Sequence, residues 1–203
     1  MKSITLKSMS ALALALVAGG VMTTTASAAT FGKGSNSKIE YQSGKIDIVD
    51  PTDPDPNNPT KAAVPTFDFG QQTITSLDKT YDNVTAGSLK VTDLRGTSDG
   101  WKVTVTQQEQ LKTATGKELS NAQLQLKNAT TTTDDGTVTF TAQNLTPGTA
   151  ALIFKAEQGN GNGASELKFA AGSDVQLEVP GATPKVKEAY TADLVWTLTD
   201  SPA

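Results

Sequence analysis

From residue 66 onward the chain is a succession of short segments in which apolar and polar residues alternate, separated by turn-forming residues. Strict alternation places apolar side chains on one face of a β-strand and polar side chains on the other. The turn signals between the segments include Asp82-Asn83, Asp134-Asp135-Gly136 and Pro147-Gly148, residue types that favour tight turns. This arrangement predicts an all-β domain, a β-sandwich or barrel of roughly ten short strands with little helix.

Each predicted strand carries a stripe of aliphatic or aromatic residues. The predicted strands cover residues 66–69, 71–77, 87–93, 100–107, 122–127, 137–142, 150–157, 166–169, 174–179 and 190–199. Before them, residues 38–49 predict a short hairpin or one bulged strand around Ser43-Gly44. A short helix fits only at residues 106–119, where the apolar spacing is weak.

The first 28 residues have the pattern of a secretory signal peptide. Lys2 and Lys7 precede an apolar run at residues 11–22, and the small residues Ala26-Ser27-Ala28 follow it. The run is too short for a good membrane span, and we expect cleavage after Ala28. Residues 29–203 then form one exported β-domain, in which no further stretch is apolar enough to cross a membrane.

Several residue types that the chain lacks limit its chemistry. Histidine and cysteine are both absent, which removes Ser-His-Asp and Cys-His nucleophiles, the usual zinc sites and disulfides. After cleavage 15 basic residues remain against 21 acidic residues, and this balance disfavours a nucleic-acid partner. The remaining catalytic possibility is a carboxylate pair, and no acid lies in a distinctive motif. We therefore predict a non-catalytic protein with no cofactor and no metal site.

Residues 50–60 are rich in aspartate and proline and predict an extended linker or loop. Four prolines in this stretch are incompatible with a sheet interior and favour an extended connection. The carboxylates also allow a calcium loop as an alternative. Such loops need a glycine turn and a distal bidentate acid, and the stretch contains neither.

The two tryptophans occupy equivalent positions in two predicted strands. Trp101 stands two residues before Val103, and Trp196 stands two residues before Leu198 on a stripe that begins at Tyr190. Because the whole stripe is apolar, core packing is the simpler interpretation. The alternative is a sugar-binding platform, in which a partly open ring packs on a pyranose while its N–H reaches a hydroxyl. The sequence leaves both interpretations open.

Residues 190–202 and 91–107 resemble the distal and proximal motifs of the WxL-domain proteins of Gram-positive bacteria. The proximal segment holds Asp93, Arg95-Gly96 and Gly100-Trp101 in the family's order. Val103 stands where the family motif has leucine, a change that keeps an apolar strand position. Phe67-Asp68-Phe69-Gly70 and the Asp/Pro-rich stretch also resemble the family's N-terminal part, so the resemblance spans essentially the whole mature chain.

This resemblance implies a secreted cell-surface protein that attaches non-covalently to the cell wall through peptidoglycan. It also implies complexes with WxL-interacting proteins and other surface proteins. An alternative is a protein-partner subunit that uses an open sheet edge and associates with the wall only indirectly. The candidate ligand-binding residues on the two motifs are Trp101, Val103, Tyr190, Trp196, Leu198, Asp93 and Arg95.

Overall fold

The computed structural model describes residues 37–49 and 64–200. The predicted signal peptide at residues 1–28 and the predicted linker at residues 50–60 lie outside the described residues. The described part contains no helix, and therefore none that could cross a membrane. Its strands are β1 (Ile46–Val49), β2 (Lys79–Asn83), β3 (Gly87–Asp93), β4 (Trp101–Gln107), β5 (Gln123–Leu126), β6 (Thr130–Thr133), β7 (Val138–Phe140), β8 (Gln143–Asn144), β9 (Ala150–Ala156), β10 (Gly163–Phe169), β11 (Gly172–Val179) and β12 (Leu194–Thr199).

These strands belong to one compact unit that begins at Tyr41, and they form three antiparallel sheets of four strands each. Sheet 1 has the strand order β1-β3-β10-β6, sheet 2 has β2-β11-β5-β8, and sheet 3 has β12-β4-β9-β7. Among the described strands, no ladder joins two strands that follow each other in the chain. The all-β prediction is confirmed, and the domain is a sandwich rather than a closed barrel.

A single large core collects the inward side chains of all three sheets. Leu89 of sheet 1, Leu126 of sheet 2 and Phe154 of sheet 3 are fully buried in it. In β4 and β11 alternation produces this burial, because every second side chain points to the same face. β9 differs, since the consecutive residues Ile153 and Phe154 are both buried where its register with β4 shifts. A smaller cluster lies beside sheet 2 and contains Leu111, Leu119, Ala122, Leu177 and Val179.

The predictions of strands at residues 66–69 and 71–77 are wrong, since both segments are irregular. Phe67 nevertheless packs edge-on against Phe169, with ring centroids 5.5 Å apart. Phe69 packs against both apolar clusters. The alternation in this region therefore reflects core contacts made by an extended segment without a sheet ladder.

The helix prediction at residues 106–119 is also wrong. Lys112 forms isolated antiparallel bridges with Glu118 and Thr191. Gly116 turns the chain between the bridged residues, with a φ of 83°. The segment is therefore a bridged loop that covers the smaller cluster, and its weak apolar spacing does not indicate a helix.

The two ends of the described chain contain less strand than the pattern predicts. In residues 38–49 only Ile46–Val49 forms a strand, and Ile39 and Tyr41 are exposed. At the other end, β12 begins at Leu194 instead of Tyr190, because Tyr190 packs against the smaller cluster.

Candidate functional site

The proximal motif forms the connection from β3 to β4. β3 ends at Asp93, and Gly100 directly precedes Trp101, the first residue of β4. Gly100 has a φ of 80°, and a Cβ atom there would lie 2.6 Å from the carbonyl oxygen of Ala156. Only glycine tolerates both the left-handed backbone and this close approach. The Gly-Trp pair of the motif is thus a steric requirement for entering β4.

Trp101 is a core residue, with no exposed surface. Its ring meets Phe154 edge-on at a centroid distance of 4.9 Å. The indole Nε1–H donates a hydrogen bond of 3.1 Å to the carbonyl oxygen of Gly161, so the buried donor is satisfied. Val103 is also fully buried. In this structure both residues stabilise the sandwich and present no surface to a ligand.

Gly161 supports Trp101 from the loop between β9 and β10, and we expect Gly161→Ala to lower the free energy of unfolding by about 3 kcal/mol. A Cβ atom at Gly161 would lie 2.5 Å from the Ala156 Cβ and 2.6 Å from the Trp101 Nε1, at a φ of 80°. Gly159 is the matched control, because its φ is 87° and nothing lies within 4 Å of its Cβ position. Gly159→Ala should lower the free energy of unfolding by only about 1 kcal/mol, which is the cost of the left-handed backbone alone.

Urea unfolding followed by circular dichroism measures both free energies. Equal losses for the two glycine variants would contradict the packing role of Gly161.

Asp93 and Arg95 form a bidentate ion pair at the end of β3. The Arg95 Nη2 and Nε donate to the two carboxylate oxygens of Asp93 at 2.7 Å and 2.9 Å. The Asp93 side chain is 0 % exposed and that of Arg95 is 14 % exposed. The hydrogen bonds to Asp93 raise the pKa of Arg95 above its ordinary value, against the opposing effect of burial. The guanidinium therefore stays charged throughout the usable pH range.

The same guanidinium joins three parts of the chain. Its Nη2 donates to the carbonyl oxygen of Gly100 at 3.0 Å, just before β4. Its Nη1 donates to the carbonyl oxygen of Asp200 at 2.9 Å, just after β12. Arg95 thus holds the end of the distal motif against the proximal motif, as a clamp between the two.

Trp196 and Leu198 lie in β12, which is an edge strand of sheet 3 among the described strands. Trp196 is opposite Val105 and Leu198 is opposite Val103, so both side chains are on the core side. Both are only partly buried, since no strand covers the outer edge of β12 in the described part of the chain. The distal tryptophan therefore differs from Trp101 in being partly accessible.

The indole Nε1 of Trp196 is buried and has no hydrogen-bond partner among the described residues. Most buried donors in proteins are paired, and an unpaired one needs a specific explanation. Because this nitrogen is itself buried, an external ligand cannot contact it in the described arrangement of β12. The accessible part of its ring, on an edge strand among the described strands, makes Trp196 the strongest candidate contact of the seven predicted residues.

Tyr190 lies apart from the other candidates, against the smaller apolar cluster. Its hydroxyl accepts a hydrogen bond of 2.8 Å from the backbone N–H of Val186. The structure thus brings Trp101, Trp196 and their aliphatic neighbours to sheet 3 and brings the Asp93–Arg95 pair to its end. It does not bring Tyr190 to that group.

Two shallow concavities on the described surface are lined mainly by polar side chains. One, of about 150 Å³, lies between residues 108–112 and 191–193. The other, of about 210 Å³, lies against sheet 1 beside Lys90 and Glu166. Neither contains a predicted site residue. Within residues 37–49 and 64–200, no three metal-ligating side chains come together.

Comparison with known proteins identifies one family. The family model described as WxL domain, surface cell wall-binding, matches residues 23–202. No curated protein and no solved structure matches the chain. The match includes both tryptophan motifs and nearly the whole sequence, and it confirms the resemblance predicted from those motifs. The chain therefore belongs to the WxL-domain family of surface cell wall-binding proteins.

Proposed function

We propose that the chain is a secreted, non-catalytic protein that is held non-covalently on the Gram-positive cell wall, with peptidoglycan as its ligand. The family's wall-binding description supports attachment to the wall. The signal-peptide pattern at residues 1–28 supports export, and the absence of histidine and cysteine from the sequence supports a binding role over nucleophilic catalysis.

The observation that carries the proposal is the partly exposed ring of Trp196 on β12, an edge strand among the described strands. A partly open tryptophan suits a sugar ligand, since the exposed part of its ring can pack on a pyranose. Leu194 and Leu198 flank it on the same face of β12, and all three pack against the core. In this proposal Trp101 and the Arg95 clamp hold β12 in place and make no contact with the ligand.

We expect Trp196→Ala to reduce sedimentation of the protein with purified, protein-free sacculi. Central aromatic contacts in interfaces contribute about 2 kcal/mol or more, which corresponds to a loss in affinity of roughly 30-fold. Val195→Ala is the matched control, because Val195 is the neighbouring residue, points to the opposite face and is 47 % exposed. This variant should sediment like the wild type.

Trp196→Phe is the graded variant, because phenylalanine keeps an aromatic ring against the core but offers a smaller ring face to a sugar. A folded Trp196→Phe variant should sediment less than the wild type and more than Trp196→Ala. A folded Trp196→Ala variant with wild-type sedimentation would reject Trp196 as a contact. Circular dichroism of each variant establishes that it is folded.

The alternative function is a protein-partner subunit with indirect wall association. No described strand pairs with the outer edge of β12, and Val195 is exposed beside it. This arrangement favours the alternative, since such edges accept a strand from another chain. Protein-free sacculi distinguish the two functions. A direct wall binder sediments with them, whereas an indirect binder stays in solution until its partner is added.

A further inference from the structure

The outer face of sheet 2 carries a row of amide and carboxylate side chains. Asp82 of β2, Gln176 of β11, Gln125 of β5 and Asn144 of β8 are direct cross-strand neighbours, one from each strand. These four residues are called the amide row below. Asp82 and Asn144 are exposed, and the two glutamines are partly exposed.

The outward positions of the other two sheets have a different composition. On sheet 1 the central outward row is Lys90, Glu166 and Thr132. On sheet 3 it is Thr197, Thr104 and Leu152. Strand formation favours β-branched and aromatic residues and gives no advantage to amides. The concentration of amides on one of three sheets in the same chain is therefore not explained by the need to form strands.

Hydrogen bonds along this face hold its side chains in place. The Gln176 Nε2 donates to the Asp82 Oδ1 at 2.6 Å, and the Gln125 Nε2 donates to the Glu178 Oε2 at 3.0 Å. Lys127 donates from its Nζ to the Gln176 Oε1 at 2.8 Å. A primary amide has two donor hydrogens and an acceptor oxygen with two lone pairs. Each glutamine thus keeps further capacity for a ligand while its orientation is already restricted.

We propose that the amide row is a second binding surface, for an extended neutral glycan whose sugars carry hydroxyl and acetamido groups. This inference rests on the proposed wall-binding function. Adjacent strands are about 4.8 Å apart, so the row repeats its polar groups at an interval similar to that of sugar units in an extended β-linked chain. A repeating ligand then meets one amide or carboxylate per strand.

Charge favours a neutral glycan over an anionic polymer. The face carries the carboxylates of Asp82 and Glu178 against the single ammonium group of Lys127 in its hydrogen-bonded network. This acidic excess repels phosphate-bearing chains. Hydroxyl and acetamido groups can exchange hydrogen bonds with amides and carboxylates at no comparable electrostatic cost.

Titration of the isotope-labelled protein with a soluble hexamer of N-acetylglucosamine tests the amide row directly by NMR. We expect saturable shifts of the side-chain amide signals of Gln125, Gln176 and Asn144. The double variant Gln125→Ala/Gln176→Ala should bind the hexamer at least about tenfold more weakly, because each neutral hydrogen bond contributes about fivefold. The matched control is Gln71→Ala/Gln158→Ala, which removes two exposed amides away from the row.

Absence of these shifts up to the solubility limit of the hexamer would overturn the inference, as would equal weakening in the control variant. A glucose hexamer, which lacks acetamido groups, is the second probe, and equal binding of it would overturn the assignment to acetamido sugars. Asn144→Ala provides a further variant if the double variant proves unfolded by circular dichroism. Asn144 is exposed on the two-residue edge strand β8, so its loss should leave the core intact.

The sacculus assay separates this inference from the proposed function. If the wild type sediments with sacculi and the folded Gln125→Ala/Gln176→Ala variant sediments equally well, the amide row has no role and wall binding stands. If the wild type fails to sediment, the proposed wall binding is rejected. The NMR titration then decides the amide row separately: without hexamer-induced shifts of its amide signals, the amide row is rejected as well.

Discussion

Replacing Trp101 with alanine is expected to lower the free energy of unfolding by about 3–5 kcal/mol, a large part of the stability of an ordinary domain. The ring is 0 % exposed and packs edge-on against Phe154. Its removal leaves a cavity between sheet 3 and the β9–β10 loop, and it leaves the Gly161 carbonyl without the indole donor. Urea unfolding followed by far-ultraviolet circular dichroism gives the free energy of each variant.

Trp101→Phe is the graded comparison, because it keeps an aromatic ring while losing the hydrogen bond and part of the volume. We expect it to be less destabilising than Trp101→Ala. The chain relies on this core without any disulfide, since it contains no cysteine. The packing role would be contradicted if Trp101→Ala lowered the free energy of unfolding by less than about 1 kcal/mol.

The second large effect is expected for Arg95→Met, which should lower the free energy of unfolding by about 3–5 kcal/mol because it leaves a buried carboxylate without its partner. The Asp93 side chain is 0 % exposed, and both of its oxygens accept hydrogen bonds from the guanidinium. The variant also frees the carbonyl oxygens of Gly100 and Asp200, which Arg95 holds. Chemical unfolding measures the free energy of unfolding of this variant.

A double-mutant cycle with Asp93→Asn isolates the ion pair. The free energy of unfolding should fall less in the double variant than the sum of the losses in the two single variants, because neither charge then remains buried alone. Lys155→Met is the surface control, since its partner Glu157 is 55 % exposed, and exposed pairs contribute about 1 kcal/mol or less. Additive losses in the Asp93–Arg95 cycle would contradict the buried-pair interpretation.

Much of the fold could be predicted from alternation, and the reason is visible in burial. In β4 and β11 every second residue is buried, so their sequences show the two-residue period directly. The pattern does not predict β2, β6 and β8, because little of their sequence is buried. β6 is four threonines, which show no alternation at all.

The difference between the two tryptophans could not be predicted, because both stand in the same local pattern. It follows from sheet order, since β4 lies between β12 and β9, whereas β12 has a partner on one side only among the described strands. The roles of Asp93 and Arg95 could not be predicted either. The two residues form a buried ion pair only when three segments of the folded chain come together. Gly161 appears in the sequence as part of a glycine-rich loop, and only its contact with Trp101 explains why glycine is needed there.

The strand order has a further consequence for how quickly the native state forms. Among the described strands, each ladder pairs segments that are separated by at least one other strand, and the Arg95 clamp joins residues 105 positions apart. A β-hairpin forms within microseconds and can serve as an early nucleus, but these pairings offer none. Loop-closure entropy must be overcome before any ladder is gained, which places such a domain among slow, high-contact-order folders. The chain therefore stays without native sheet structure until distant segments have met, a delay that is compatible with the export proposed above.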